Sequence, residues 1–437
     1  MLTAPIQVFK FGGASLKNAA AVRNVGDILT RFKELPLVVV VSAMGKSTDA
    51  LEGVVGAFHA NDRDKALELL TEVRNNHLEI IKELFGEIPA ALAEEINDLL
   101  VSIEWALDDE PDESYDYDYD QIVSLGELLS SRIVAAYLEK ISLPTKWLDA
   151  RDVIITDNIY REGWVQWPET IERAQKHVKP QLENHGGFVL TQGFIGSTTE
   201  NFTTTLGREG SDYTAAIFSY CLDAESMSIW KDVPGVLTAD PRYFDNVSKL
   251  ERLSYTEAIE MTYYGAKVIH PKTIKPLQNK NIPLYVRSFI NPAASGTLIS
   301  DVIDETYPAM VAVERNQALL HISTRDFSFV AEQHIKYLFD KITEVRLQVN
   351  MMQNTAISFN LVFNDTDDKI DRFISLIDAD YKTTIDRDLE LITVRHFTTE
   401  VMDELRQGKI VLLEERLPRT IQMVVKDVPV LSRKVKA

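Results

Sequence analysis

A chain of 437 residues is long enough for two or three domains that each bury a core, and 45% hydrophobic with 26% charged residues fits a soluble globular protein. A formal charge of −20 argues against a nucleic-acid or acidic-membrane binder, either of which needs a basic face. Its apolar runs are too short to cross a bilayer, no basic cleavable leader follows Met1, and Cys221 stands alone, so no disulfide closes within the chain. A cytoplasmic protein is expected, with Cys221 a buried inert thiol in the apolar run AAIFSYCL.

The first element is a short apolar strand ending at Phe11, turned by Gly12 and Gly13 into a helix through Ile28 and Phe32. A strand, a glycine turn and a helix make a cradle for an anion, because backbone amides and the helix dipole both favour phosphate oxygens. The GxxxxGKS/T spacing of a P-loop is absent, and Lys10 precedes the glycines, so it would reach back from the strand. LPLVVVV is next, apolar throughout as a strand covered on both faces must be, and Ser42, Gly45, Ser47 and Thr48 follow it. Small polar residues at strand C-termini sit where open α/β sheets bind ligands.

Residues 62 to 107 read as helices. Glu104 to Asp120 then holds nine carboxylates and no Lys or Arg. It lacks the glycine and ligand order of an EF-hand, and self-repulsion predicts an exposed mobile loop. Eight scattered histidines give no metal spacing either. DQIVSLGELLSSRIVAAYLEK reads as one amphipathic helix, with Glu127 set among Leu125, Gly126, Leu128 and Leu129, where a carboxylate usually needs a partner.

LPTKWLDA is a strand, TIERAQKHVKPQLEN a helix, and GGFVLTQGFIGSTTENFTTTLGREG a strand leading to a hairpin. TTTLGREGSDYTAA, Thr203 to Ala216, is the most informative stretch: an extended run, two glycines, then a helix start with Ser211 as expected N-cap. Gly207 and Gly210 allow close backbone approach, Arg208 offers a two-pronged donor for carboxylate or phosphate, and Asp212 falls in the first helical turn. ESMSIWKDVPGVLTADPR is a buried strand and a turn-rich loop, with Asp232, Asp240 and Arg242 placed to hold a nucleotide. Two helices around Gly265–Ala266–Lys267 and a last strand near 290 complete a strand–helix alternation that predicts a mostly parallel sheet with helices on both faces. NPAASGTLISDV reads as a linker. Beyond it a β-α-β-β-α-β order appears and begins again, and PAMVAVERN could supply the second unit's missing edge strand.

KFGGASL, VVSAMGKSTDAL, LGELLSSRI, TQGFIGSTTENFTTTLGREGSDYTAA, WKDVPGVLTADPR and YGAKVIHP together resemble the aspartate kinases of the amino-acid kinase family, in that family's order and across nearly all of residues 6 to 300. The resemblance implies an αβα sandwich over residues 1–300 that uses ATP and Mg²⁺ to phosphorylate the side-chain carboxylate of L-aspartate. The product, 4-phospho-L-aspartate, opens the route to lysine, threonine and methionine. It implies a nested pair of ACT-like units in 301–437 (317–387, then 308–316 with 388–437) and a homodimer or larger assembly through them. By resemblance Lys10 and Asp212 are the catalytic pair, and Gly12, Gly13, Ser211, Lys231, Asp232, Leu237, Arg242 and Lys267 match ATP-binding positions. Ser42, Thr48, Glu127, Phe194 and Arg208 match aspartate-binding positions, and Mg²⁺ arrives on the nucleotide without a direct protein ligand.

Ala14, Glu209, Lys231 and Leu237 stand where the family carries threonine, glycine, threonine and tyrosine. Glu209 should weaken a neighbouring anion site unless its side chain points away. STRDFSF and NMMQNTA lack the elements that bind an effector, so feedback by lysine is expected to be weak or absent. The rival readings are an amino-acid kinase with another carboxylate acceptor and a catalytically silent amino-acid-binding regulator.

Overall fold

The computed structural model describes residues 4–185, 187–265, 269–301, 306–325, 329, 331–365 and 368–428. They group into two compact units, one of 4–236, 249–259 and 269–301, the other of 237–248, 260–265 and 306–428.

The first unit contains strands β1 (Gln7–Phe11), β2 (Leu37–Val41), β3 (Thr145–Leu148), β4 (Phe188–Gln192), β5 (Ile195–Ser197), β6 (Thr203–Thr205), β7 (Ser226–Lys231), β8 (Arg252–Ser254), β9 (Leu284–Ser288) and β10 (Thr297–Ser300). Its helices are α1 (Ala19–Thr30), α2 (Ser47–His59), α3 (Arg63–Phe85), α4 (Ala90–Ala106), α5 (Tyr115–Val123), α6 (Leu125–Lys140), α7 (Trp167–His177), α8 (Lys179–His185), α9 (Gly210–Cys221) and α11 (Pro271–Asn279), while α10 (Tyr255–Tyr263) begins in this unit. Among the described residues, eight strands form one sheet in the order β3-β4-β2-β1-β7-β9-β10-β8, and β5 pairs with β6 as a hairpin. Strands β3 to β9 in that order run parallel, as the strand–helix alternation predicts. The five residues of β2 are all buried, which is why a β-branched run stands there. Phe11 stacks on Trp230 at 5.9 Å and Phe9 meets the same indole edge-on, locking β1 to β7.

This order decides where a ligand can bind. Chain order leaves β1 toward β2 on one side and reaches β7 on the other, so β1 and β7 flank a topological switch point. In open α/β sheets ligands bind at such a point, beyond the carboxyl ends of the strands.

In the second unit β11 (Met310–Thr324), α12 (Glu332–Glu344), β12 (Val349–Asn354), β13 (Ser358–Asn364), α13 (Lys369–Ile377), β14 (Tyr381–Arg395), α14 (Thr399–Arg406), β15 (Lys409–Arg416) and β16 (Thr420–Asp427) build a six-stranded antiparallel sheet, order β12-β13-β11-β14-β16-β15, among the described residues. Both β11 and β14 are 15 residues long and pair with each other through an irregularity near Glu314 and Gln317, so one sheet serves both halves of the repeat.

Four local expectations need correcting. The acidic run is not a mobile loop: it continues α4, crosses a short link and forms α5, capped by Ser114 accepting from the Tyr117 amide at 3.3 Å. Two of its carboxylates are buried because donors await them, Asp118 pairing with His59 at 2.8 Å and Asp120 accepting three hydrogen bonds. The expected single helix through Glu127 is two, α5 and α6, separated at Ser124. The second expected helix also divides, into α7 and α8 at Val178. Finally, the stretch read as a linker supplies β10, which pairs antiparallel with β9 in the main sheet. Among the described residues no helix is long and apolar enough to cross a membrane.

Candidate active site

The cluster begins on β1. Lys10 is 8% exposed, and its ammonium lies 2.6 Å from Asp212 Oδ1, itself on a residue 2% exposed in the first turn of α9. Lys231, the last residue of β7, brings a second ammonium to 3.5 Å from the other oxygen, Asp212 Oδ2. Burial alone would push the Asp212 carboxyl up, but the two ammoniums outweigh it and hold it below the ordinary aspartate range. One carboxylate thus anchors two cations at the switch point.

The glycine turn sits beside them. A Cβ on Gly12 would lie 3.2 Å from the Lys10 ammonium, so the side chain does fold back over the turn. A Cβ on Gly13 would lie 2.9 Å from the Gly45 carbonyl oxygen, because the turns after β1 and β2 pack backbone to backbone. The Gly45 amide donates to the Gly13 carbonyl at 3.2 Å, and the Ser42 amide to the Phe11 carbonyl at 3.1 Å. Those contacts leave a shelf of main chain that a phosphate can approach.

Glu127, on α6, is 3% exposed. Its Oε1 accepts from the Ala43 amide at 3.2 Å, while Oε2 is buried without a hydrogen-bond partner among the described residues. Burial pushes this carboxyl up to about 8, with the Ala43 amide and the Lys10 charge pulling the other way. Buried carboxylate oxygens are normally hydrogen-bonded, and an ammonium is one group that satisfies them. Thr48 lies half-buried in the first turn of α2 and Ser42 half-buried just past β2.

The remaining wall comes from the 193–212 segment. The Gly193 amide donates to the Val41 carbonyl at 2.8 Å, and a Cβ there would overlap Ser211, so no side chain fits. Phe194 adopts φ +69°, with its amide donating to Thr214 Oγ1 at 2.9 Å and its carbonyl accepting from the Leu206 amide at 2.8 Å. These bonds fix the turn that carries Arg208, which is exposed and has no hydrogen bond or ion pair among the described residues. Ser211 is buried but is not the N-cap. Helix α9 starts at Gly210, two residues earlier than a cap at Ser211 would set it, and Glu209 occupies the cap position with left-handed φ +53°. Glycine favours that conformation, and Glu209 Oε2 is buried without a hydrogen-bond partner among the described residues. The Glu209 charge is felt at His270, where it opposes the burial that lowers the imidazole.

The structure therefore gathers Lys10, Gly12, Gly13, Asp212 and Lys231, with Ser211, Glu127, Ser42, Phe194 and the Arg208 turn on adjoining segments. Asp232 follows directly after β7 and is exposed. Leu237 and Arg242 belong to the second unit, where Arg242 pairs with Asp240 at 2.6 Å. Lys267 lies outside the described residues. Residue patterns did not single out Gly193, Ala43 or Asp120: the first two act through backbone, and the third was hidden in a run of like charges.

Residues 5–288 match the profile of the amino acid kinase family. The lysine-sensitive aspartokinase 3 of Escherichia coli (strain K12) is 32% identical over 367 residues, spanning 83% of this chain and 79% of that protein. The chain belongs to the amino acid kinase family, among its aspartokinases. Aspartokinase 1 of Arabidopsis thaliana chloroplasts is 32% identical over 368 residues, and the chain spans 63% of it. For the bifunctional aspartokinase/homoserine dehydrogenase 1 of Zea mays the identity is 35%, but the chain spans only 32% of that protein's length. Aspartokinase III of E. coli, solved in complex with aspartate and ADP, superposes with a TM-score of 0.82 at 27% identity and 96% coverage of both chains. In this chain Lys231 has a defined place beside Asp212.

Proposed function

We propose that the chain transfers the γ-phosphoryl group of ATP to the side-chain carboxylate of L-aspartate, giving 4-phospho-L-aspartate and ADP. An ionised carboxylate is already a nucleophile, so the site needs no general base. It has to bring two anions together in line and offset the charge that spreads over the transferred oxygens. The observation that carries the reading is the Lys10–Asp212–Lys231 cluster on the glycine turns at the switch point, with the unpartnered Glu127 oxygen nearby.

In this reading the Gly12–Gly13 turn, Lys10 and Lys231 hold the phosphates, Asp212 keeps both ammoniums oriented, and Ser211 lies close to the transferring group. The main-chain shelf and paired ammoniums suit a triphosphate, and Mg²⁺ carried on it supplies further neutralisation of phosphate charge. Arg208 takes a carboxylate of aspartate, Glu127 its α-ammonium, and Ser42, Thr48 and Phe194 complete that pocket. Asp232, Leu237, Arg242 and Lys267 serve the rest of the nucleotide.

For the remainder of the chain we propose a catalytic domain of 1–300 and an ACT-like regulatory region of 301–437, with 317–387 as first unit and 308–316 with 388–437 as second. The pairing of Met310–Glu314 with Leu391–Arg395 supports the nested arrangement. That region would form the homodimer or larger assembly in the cytoplasm, with the reaction opening synthesis of lysine, threonine and methionine. Inhibition by lysine is weak or absent, and titrating lysine and threonine during turnover tests this.

A coupled ADP-release assay with MgATP over aspartate, glutamate, acetylglutamate and homoserine tests the substrate. Aspartate should turn over fastest. Preference for another acid would give the site to a different acceptor, and binding of aspartate and ATP without turnover would make the chain a silent regulator.

A further inference from the structure

The acidic run contributes one residue that the catalytic reading leaves unused. Asp120, on α5, is 0% exposed and spends both carboxylate oxygens on neighbouring segments. Oδ1 accepts from the Thr205 hydroxyl at 2.6 Å, and Oδ2 accepts from the Thr205 amide at 2.9 Å and the Arg161 amide at 2.9 Å. Its neighbour Gln121 pairs with the same strand as an extra strand would, donating to the Thr203 carbonyl at 2.9 Å and accepting from the Thr203 amide at 3.3 Å. Two consecutive side chains of one helix therefore hold β6 at both ends.

What β6 leads into gives this clamp its meaning. Thr205 lies three residues before Arg208, and a Cβ added to Gly207 between them would lie 3.2 Å from the Arg161 carbonyl oxygen. Arg161 in turn places its guanidinium 3.6 Å from Glu52 and 3.6 Å from Asp116, over the Tyr119 ring. Glu52 belongs to α2, the helix whose first turn carries Thr48. Asp120 thus ties together the strand before Arg208, the Arg161 loop and, through Arg161, the helix of Thr48.

We infer that Asp120 is a positioning residue for acceptor binding, holding the Arg208 turn in register with the Thr48 helix so that the incoming amino acid meets both at once. This rests on the reading that Arg208 and Thr48 bind the acceptor. One buried carboxylate accepts three charge-assisted hydrogen bonds, two from Thr205 of β6 and one from the Arg161 loop, and so makes β6 rigid where the exposed Arg208 turn could otherwise wander. An asparagine at this position turns a donor toward donors.

The test is Asp120→Asn, with Thr205→Val and Thr205→Ser alongside should the first variant fail to fold. Asp120→Asn should raise the KM for aspartate about tenfold or more, a size typical of misplacing a binding group, while ADP affinity by calorimetry and the KM for ATP stay within about twofold. Thr205→Val should move the same way by less, and Thr205→Ser, which keeps the hydroxyl, should restore the parent value. Hydrogen exchange of the amides in 203–210 should quicken in the first two variants and not in the third, whatever the acceptor is. An unchanged aspartate KM with unchanged exchange, or equal losses for ATP and aspartate, would overturn the inference. Should Arg208→Ala leave aspartate KM unaltered while exchange still quickens in Asp120→Asn, the acceptor reading fails and the clamp stands.

Discussion

Lys10 on β1 and Asp212 on α9 meet at 2.6 Å in a setting where each is almost wholly buried. A buried ammonium with a carboxylate this close is fixed in direction before any ligand arrives, and fixed charge costs no reorganisation as phosphoryl charge develops. Lys10→Ala should lower turnover by at least about a hundredfold, the scale seen when one preorganised charge-stabilising donor is removed. Circular dichroism should be unchanged, since Lys231 still partners Asp212. Wild-type turnover in that variant would remove Lys10 from the mechanism.

Lys231 offers a separate prediction. Lys231→Thr, which removes the charge, should weaken ADP and ATP binding about tenfold, in keeping with one partly exposed charge contact. The KM for aspartate should hold, and calorimetric titration with ADP at two salt concentrations should show a smaller salt dependence than the parent. Unaltered nucleotide affinity would assign Lys231 to holding Asp212 alone.

Glu127 predicts a pH dependence. Burial lifts its carboxyl to about 8, so at pH 7 the ligand-free site is protonated. A protonated acid cannot pair with an ammonium, so aspartate binding must expel the proton. Apparent affinity should therefore weaken about tenfold for each pH unit below 8 and level off above it. Calorimetry in buffers of different ionisation enthalpy should show close to one proton released per aspartate bound at pH 7, and Glu127→Gln should abolish that release.

Glu209 occupies a left-handed position that glycine fills without strain, and it buries an unpartnered carboxylate oxygen. Glu209→Gly should stabilise the fold by about 1 kcal/mol after allowing for the greater freedom of glycine when unfolded, or roughly 2–4 °C in Tm. Thermal unfolding checks it, and a lower Tm would mean that Glu209 has a favourable partner in the folded protein.

Much of this was legible in the residues. The all-apolar LVVVV run marks a strand covered on both faces, and the alternation of strand and helix periods points to the parallel sheet; the Gly12–Gly13 turn and the LGREGSD corner point to an anion site only in combination. Charge composition misled in the acidic run, because self-repulsion says nothing about donors that arrive from distant segments: Asp120 meets Thr205 and Arg161 only after folding. Ser211 is the better capping residue by type, yet Gly210 packs closely on Phe194 and the helix starts two residues earlier than a Ser211 cap would set it. The sequence places Lys231 at an ATP-binding position only by resemblance; that its ammonium shares Asp212 with Lys10 emerges once β7 lies beside β1.

The central claim is that a carboxylate, and not water or a hydroxyl, receives the phosphoryl group. Hydroxylamine traps acyl phosphates as hydroxamates, so the chain incubated with MgATP, L-aspartate and hydroxylamine should yield aspartyl β-hydroxamate in step with ADP, and none without aspartate. ADP release in step with aspartate but without hydroxamate would contradict it.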